Sequence, residues 1–183
     1  MTPAWLAPPV ATDVAAVLPR IETARLVLRA PRADDWPALE PIWTGDRAVH
    51  IGGPFTPEEG WLDFNQCVAG WVLRGYGALT ITDRATGAVL GLLAMGPEWG
   101  DPEPELGWLV TAEAEGRGIA TEAAAAGRDW LAARLGGRDF VSYVADGHAA
   151  SARVAEKLGA HRDGGHPLDP TVAIWRHRAG GAA

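Results

Sequence analysis

The residues best suited to chemistry are concentrated in one run, Glu115-Gly116-Arg117-Gly118-Ile119-Ala120-Thr121. It follows a short apolar segment and opens a stretch of helical composition. Two glycines leave backbone N–H groups uncovered, and a helix start adds unpaired N–H groups and a positive dipole end. Such a junction cradles an anion, most naturally a phosphate. A P-loop needs G-x-x-x-x-G-K-[ST], and no lysine is present here. A dinucleotide fingerprint needs G-x-G-x-x-G, and Thr121 stands where its third glycine belongs. A glycine-rich turn without a ligand is the remaining alternative.

The elements that must position this run follow from periodicity. Residues 24–30 alternate, with Leu26 and Leu28 to one side and Arg25 and Arg29 to the other, as in a strand with one wet face. A helix capped by Asp34 or Asp35, with Pro37 in its first turn, is kept short by Pro41. Thr56-Pro57-Glu58-Glu59 forms a capping box ahead of Trp61, Phe64, Val68, Trp71 and Val72 at helical spacing. Strands over 77–82 and 88–95 are joined by the turn Asp83–Gly87, and a Pro-rich loop over 97–104 leads into a strand over 105–110. A helix over 118–135 carries the stripe Ala120, Ala124, Gly127, Leu131, Leu135, whose small members permit close approach to a sheet. Residues 139–144 form a strand, 148–158 a helix with Asp146 as its N-cap, and a strand near 171–178 closes the domain. Hairpin strands followed by βα alternation predict a mixed α/β sheet.

The chain has 183 residues, enough for a single domain. Residues 1–20 form an N-terminal extension, partly loose and laid on the domain through Trp5 or Leu6. Residues 21–178 form the domain, and 179–183 a flexible tail. The formal charge of −7 argues against a nucleic-acid partner, which calls for a basic patch. A single cysteine, Cys67, rules out an intrachain disulfide and a cysteine-based metal site. The five histidines show no ligand spacing, so no metal is expected. No apolar run approaches the roughly 18–20 residues of a membrane helix, and no secretory signal is evident.

Four segments in order, Glu105-Leu106-Gly107-Trp108, Gly116 to Ala123, Ser142-Tyr143-Val144 and Ser151 to Ala160, resemble the GNAT superfamily of acetyl-CoA-dependent N-acetyltransferases. The likeness is nearest to the branch of ribosomal-protein-alanine acetyltransferases, whose usual start is matched by Glu22-Thr23-Ala24-Arg25-Leu26-Val27-Leu28-Arg29. It spans about residues 21–178. It implies the GNAT fold, a mostly antiparallel splayed central sheet flanked by about four helices, with acetyl-CoA as co-substrate.

The resemblance also implies site residues. The coenzyme pyrophosphate would lie on Gly116, Arg117, Gly118, Ile119, Ala120 and Thr121. Glu115 departs from the family's glutamine or arginine, and Arg117 is the candidate compensating cation. Backbone N–H groups near Leu109 and Val110 would polarise the thioester carbonyl. An amine is mostly protonated at neutral pH, so a base is required. Glu105 is the candidate, with Glu103 its competitor and a solvated strand-end carboxylate the alternative. Ser151 occupies the position of a thiol-side donor, and Tyr143 is assigned to packing. His148 stands where asparagine usually bonds the pantetheine. Of the nine tryptophans, Trp99 and Trp108 border the central strand and are candidates to touch substrate.

The activity implied is direct acetyl transfer to a primary amine, on a small molecule or a protein N-terminus. The alternative is a non-catalytic acyl-CoA-binding sensor or interaction module. A cytoplasmic location and a homodimer are expectations from the same resemblance.

Overall fold

Alternating apolar residues build the first sheet. In the computed structural model, which describes residues 9–98 and 100–178, β1 (Ile21–Glu22), β2 (Leu26–Arg29), β3 (Gly77–Asp83), β4 (Val89–Met95) and β5 (Leu106–Val110) pair in that order, all antiparallel. A second antiparallel sheet orders β6 (Phe140–Ala145), β8 (Val172–His177) and β7 (His161–Gly165). The two sheets meet at one parallel bridge, Glu105 with Val141, beyond which β5 and β6 part. The arrangement agrees with the mixed α/β sheet predicted from the element order and with the splayed, mostly antiparallel sheet implied by the resemblance.

Five α-helices accompany the sheets among the described residues: α1 (Pro9–Val17), α2 (Trp36–Thr44), α3 (Pro57–Arg74), α4 (Ile119–Arg134) and α5 (Ala149–Lys157). The capping box forms as read, with the Glu59 N–H donating to Thr56 Oγ1 and the Thr56 N–H to Glu59 Oε2. One sheet face packs Leu26, Leu28, Leu79, Ile81, Leu93 and Leu106 against Ala123, Ala124 and Leu131 of α4. The other packs Ala78 and Leu92 against Leu39, Trp43 and Phe64 of α2 and α3. Of the small-residue stripe, Ala124, Gly127, Leu131 and Leu135 meet the core, while Ala120 lines the cleft described below. A Cβ at Gly127 would come within 2.4 Å of Leu93 Cδ2, so only glycine lets α4 lie this close.

Several expectations are amended. Part of the N-terminal extension is helix α1, followed by Leu18, which packs on the first core cluster. Strand β7 was not foreseen, because its residues are all exposed and show no apolar alternation. Asp146 does not cap α5. The N-cap is His148, and Asp146 accepts instead from Arg162. Trp5, Leu6, Trp99 and the tail from residue 179 lie outside the described residues.

Candidate active site

The parting of β5 and β6 opens a cleft of about 530 Å³. Its floor is β5, one end is the glycine run, and its walls are α5 and a 3-10 segment, Asp46–Ile51, between α2 and α3. Backbone pairing decides which groups face it. Gly96 N–H donates to the Glu105 carbonyl and Thr111 N–H to the Leu90 carbonyl, so residues 105, 107, 109 and 111 direct their amides to β4. The amides of Trp108 and Val110 are therefore left on the open side, while Leu109 contributes its side chain to the lining.

At the glycine run, Gly116 and Gly118 have φ of 67° and 75°, left-handed turns that suit glycine. The first helical amide with a backbone acceptor is that of Glu122, bonded to the Gly118 carbonyl. Gly116, Gly118, Ile119, Ala120 and Thr121 all line the cleft. The run is braced from outside: Arg25 donates to the Arg117 carbonyl at 3.0 Å and to Glu122 at 2.6 Å, and Thr23 donates to Glu122 at 2.6 Å. The opening segment that carries part of the family resemblance thus fixes the loop. Arg117 itself turns back onto the Glu113 carbonyl and is absent from the lining.

Ser151 and His148 stand on the α5 wall. The Ser151 hydroxyl has no hydrogen-bond partner among the described residues. His148 stacks on His50 at 3.9 Å between ring centroids, and burial, then the neighbouring His50 and Arg47, lower its pKa. These influences favour the neutral imidazole, which offers one donor and one acceptor. Trp108 lines the cleft and packs on the core.

Glu105 lies outside the lining, at the apex where the sheets touch. Burial, then the nearby Glu98 and Asp101 carboxylates, push its pKa up to about 8. Its carboxyl has a single hydrogen bond among the described residues, a long one of 3.5 Å from the Tyr143 N–H. Glu103 is differently placed. Arg176 grips it with two hydrogen bonds of 2.7 and 2.9 Å and holds its pKa below the usual range. Of the two carboxyls, Glu105 is thus the one whose pKa is raised toward neutrality. Tyr143 buries its hydroxyl without a partner and meets His166 edge-on.

Sequence reasoning missed Arg47 and His50, which come from a segment with no periodic signal. Arg47 pairs with Glu115 across the cleft mouth and donates to the Val110 carbonyl at 3.2 Å.

Comparison with known proteins agrees with this fold. Residues 25–161 match the family described as an acetyltransferase (GNAT) domain. An acetyltransferase of Agrobacterium tumefaciens str. C58 is 37% identical, with 88% of this chain and 95% of that one covered at a TM-score of 0.83. The fold is shared with RimL, a ribosomal L7/L12 alpha-N-protein acetyltransferase in complex with coenzyme A, at 20% identity, 87% and 98% coverage and a TM-score of 0.68. It is shared too with the ribosomal-protein-S5-alanine acetyltransferase of Vibrio fischeri, at 15% identity, 90% and 99% coverage and a TM-score of 0.65. No curated protein matches the chain. The family match and the Agrobacterium relative agree with the splayed sheet, and the chain belongs to the GNAT acetyltransferase family.

Proposed function

We propose that this chain transfers the acetyl group of acetyl-CoA directly to a primary amine, on a small molecule or a protein N-terminus. The observation that supports this best is the cleft itself, with a glycine-rich helix start at one end and apolar Ile42, Leu109 and Val154 in its lining, and with the raised-pKa carboxyl of Glu105 just beyond it where the sheets touch. The donor set suits the coenzyme. Uncovered N–H groups fit its phosphates, and the apolar floor fits its pantetheine arm.

When bound, the coenzyme supplies a thioester carbonyl open to attack by an amine. The amides of Trp108 and Val110 donate toward the oxygen on which charge develops. Glu105 accepts the amine proton. It precedes Trp108 by three residues, about 10 Å along a strand, so the proton travels through water. Ser151 gives a hydrogen bond to the departing sulfur, and His148 holds the pantetheine amides.

The test is thermal unfolding with and without acetyl-CoA, then thiol release with a panel of amines. Ligand at a hundredfold excess over Kd stabilises by about 2.7 kcal/mol. We expect a clear rise in Tm, its loss in Gly118→Val, which puts a branched side chain at φ 75°, and amine-dependent thiol release. A rise without turnover on any amine would favour the non-catalytic sensor. No rise at millimolar coenzyme would overturn the proposal.

A further inference from the structure

The glycine run has a charge problem. Its first residue, Glu115, brings a carboxylate to the place where a pyrophosphate would rest, and the run's own cation, Arg117, points away toward the Glu113 carbonyl. A positive charge nevertheless stands there, delivered by a remote part of the chain. Arg47 ion-pairs with Glu115 and donates to the Val110 carbonyl, so one guanidinium touches both the loop and the end of β5.

Its segment is anchored on the opposite wall as well. His50, three residues on, stacks against His148 at the start of α5, and Ile51 completes the lining. The 3-10 segment Asp46–Ile51 therefore spans the cleft from loop to α5. The carboxylate of Glu115 fixes the guanidinium's position, and the guanidinium keeps N–H groups for a further acceptor, since Arg carries five donors.

We propose that Arg47 is the cation that holds the coenzyme's pyrophosphate, supplied from between α2 and α3, with Glu115 as the group that positions it. The inference rests on the coenzyme assignment above. It accounts for an acidic residue at the loop: Glu115 is the tether of a borrowed charge, and its repulsion toward phosphate is cancelled while Arg47 is in place. Arg153 and Lys157, the other cations of the cleft, lie further along α5, about 3 and 9 Å beyond Ser151 at the helical rise. They serve whatever the coenzyme presents there.

The test is calorimetric titration of wild type, Arg47→Ala, Glu115→Gln and the double variant with three probes: coenzyme A, dephospho-coenzyme A, which keeps the pyrophosphate but lacks the 3′-phosphate, and pantetheine, which lacks all phosphates. Arg47→Ala is expected to weaken both phosphorylated probes about tenfold, the scale of a partly exposed charge-assisted hydrogen bond, and to leave pantetheine unchanged. In the Arg47→Ala background, Glu115→Gln is expected to recover about threefold, because it removes a carboxylate left without its cation. Equal loss for pantetheine would make the segment a structural brace and overturn the proposal. So would unchanged affinity for coenzyme A, or a double variant no better than Arg47→Ala. Wild-type protein indifferent to all three probes would instead bring down the coenzyme assignment on which the inference rests.

Discussion

Ser142 Oγ stands 2.6 Å from the Leu106 carbonyl oxygen, at the level where β5 and β6 stop pairing. Beyond the bridge at Glu105 and Val141, β6 has no backbone amide for that carbonyl, and a side-chain hydroxyl takes its place. The hydroxyl has one proton and spends it on Leu106. His177 Nε2, 2.9 Å away, must then be the donor of the second contact, which leaves Nδ1 as a bare acceptor. Replacing Ser142 by alanine strands both the carbonyl and the imidazole N–H in a buried place. We expect a loss of about 1–3 kcal/mol in urea unfolding.

The same imidazole responds to acid. Burial, then the nearby Arg128 and His161, lower the His177 pKa to about 4 from 6.5. The folded state therefore resists a proton that the unfolded chain accepts. This contribution is full above pH 6.5 and is lost as pH falls toward 4. His177→Gln is expected to flatten the decline of Tm between pH 6.5 and 4. An unchanged decline would show that His177 is not its source.

Glu105 has the opposite sign. Its folded pKa of about 8 exceeds the ordinary 4.5, so the favourable contribution of its protonated form is complete below 4.5 and is lost as pH rises toward 8. Glu105→Gln is expected to match wild type in Tm at pH 4.5 and to exceed it by several degrees at pH 9. In turnover, kcat/KM for wild type should climb with pH to a plateau above about 8. The glutamine variant should lose about 10²–10⁴-fold and keep only the limb set by the amine's own ionisation.

Asp35 is a purely structural carboxylate. It is 3% exposed, receives Arg29 through two hydrogen bonds of 2.8 and 2.6 Å, and accepts from Thr80 Oγ1 at 2.8 Å and the Arg32 amide at 2.9 Å. Burial alone would raise its pKa, but these donors outweigh it and hold the group below 3.8. Asp35→Ala leaves the Arg29 guanidinium largely buried and unpaired, and should cost about 3–5 kcal/mol in denaturant unfolding. Asp35→Asn should cost less, because it keeps an acceptor.

What the sequence made legible was local. The box Thr56-Pro57-Glu58-Glu59 announced α3 because two of its backbone donors are satisfied within four residues. The turn Asp83–Gly87 announced the β3–β4 hairpin for a similar reason, with the Asp83 carboxylate accepting from the Ala85 and Thr86 amides. Gly116 and Gly118 were legible because their left-handed turns suit glycine. Arg47 was not, since its role arises when a helix connection crosses to a loop far along the chain. Asp146 looked like a cap from spacing alone, but its carboxylate was drawn away to Arg162 on β7, a strand whose exposed residues leave no periodic trace.

The short contact between the sheets around Glu105 and Val141 also bears on the mechanics of the cleft. Two plates joined along one short line swing like the covers of a book, and displacement grows with distance from the spine. Glu105 stands on the spine, while Val110 and His148 stand at the free edges. A rotation of the two sheets about that line would alter the gap at the glycine-run end and leave Glu105 almost stationary. On the function proposed above, access and chemistry would then be separated along one strand, and a substitution that loosens the edges would change ligand exchange more than the environment of the Glu105 carboxyl.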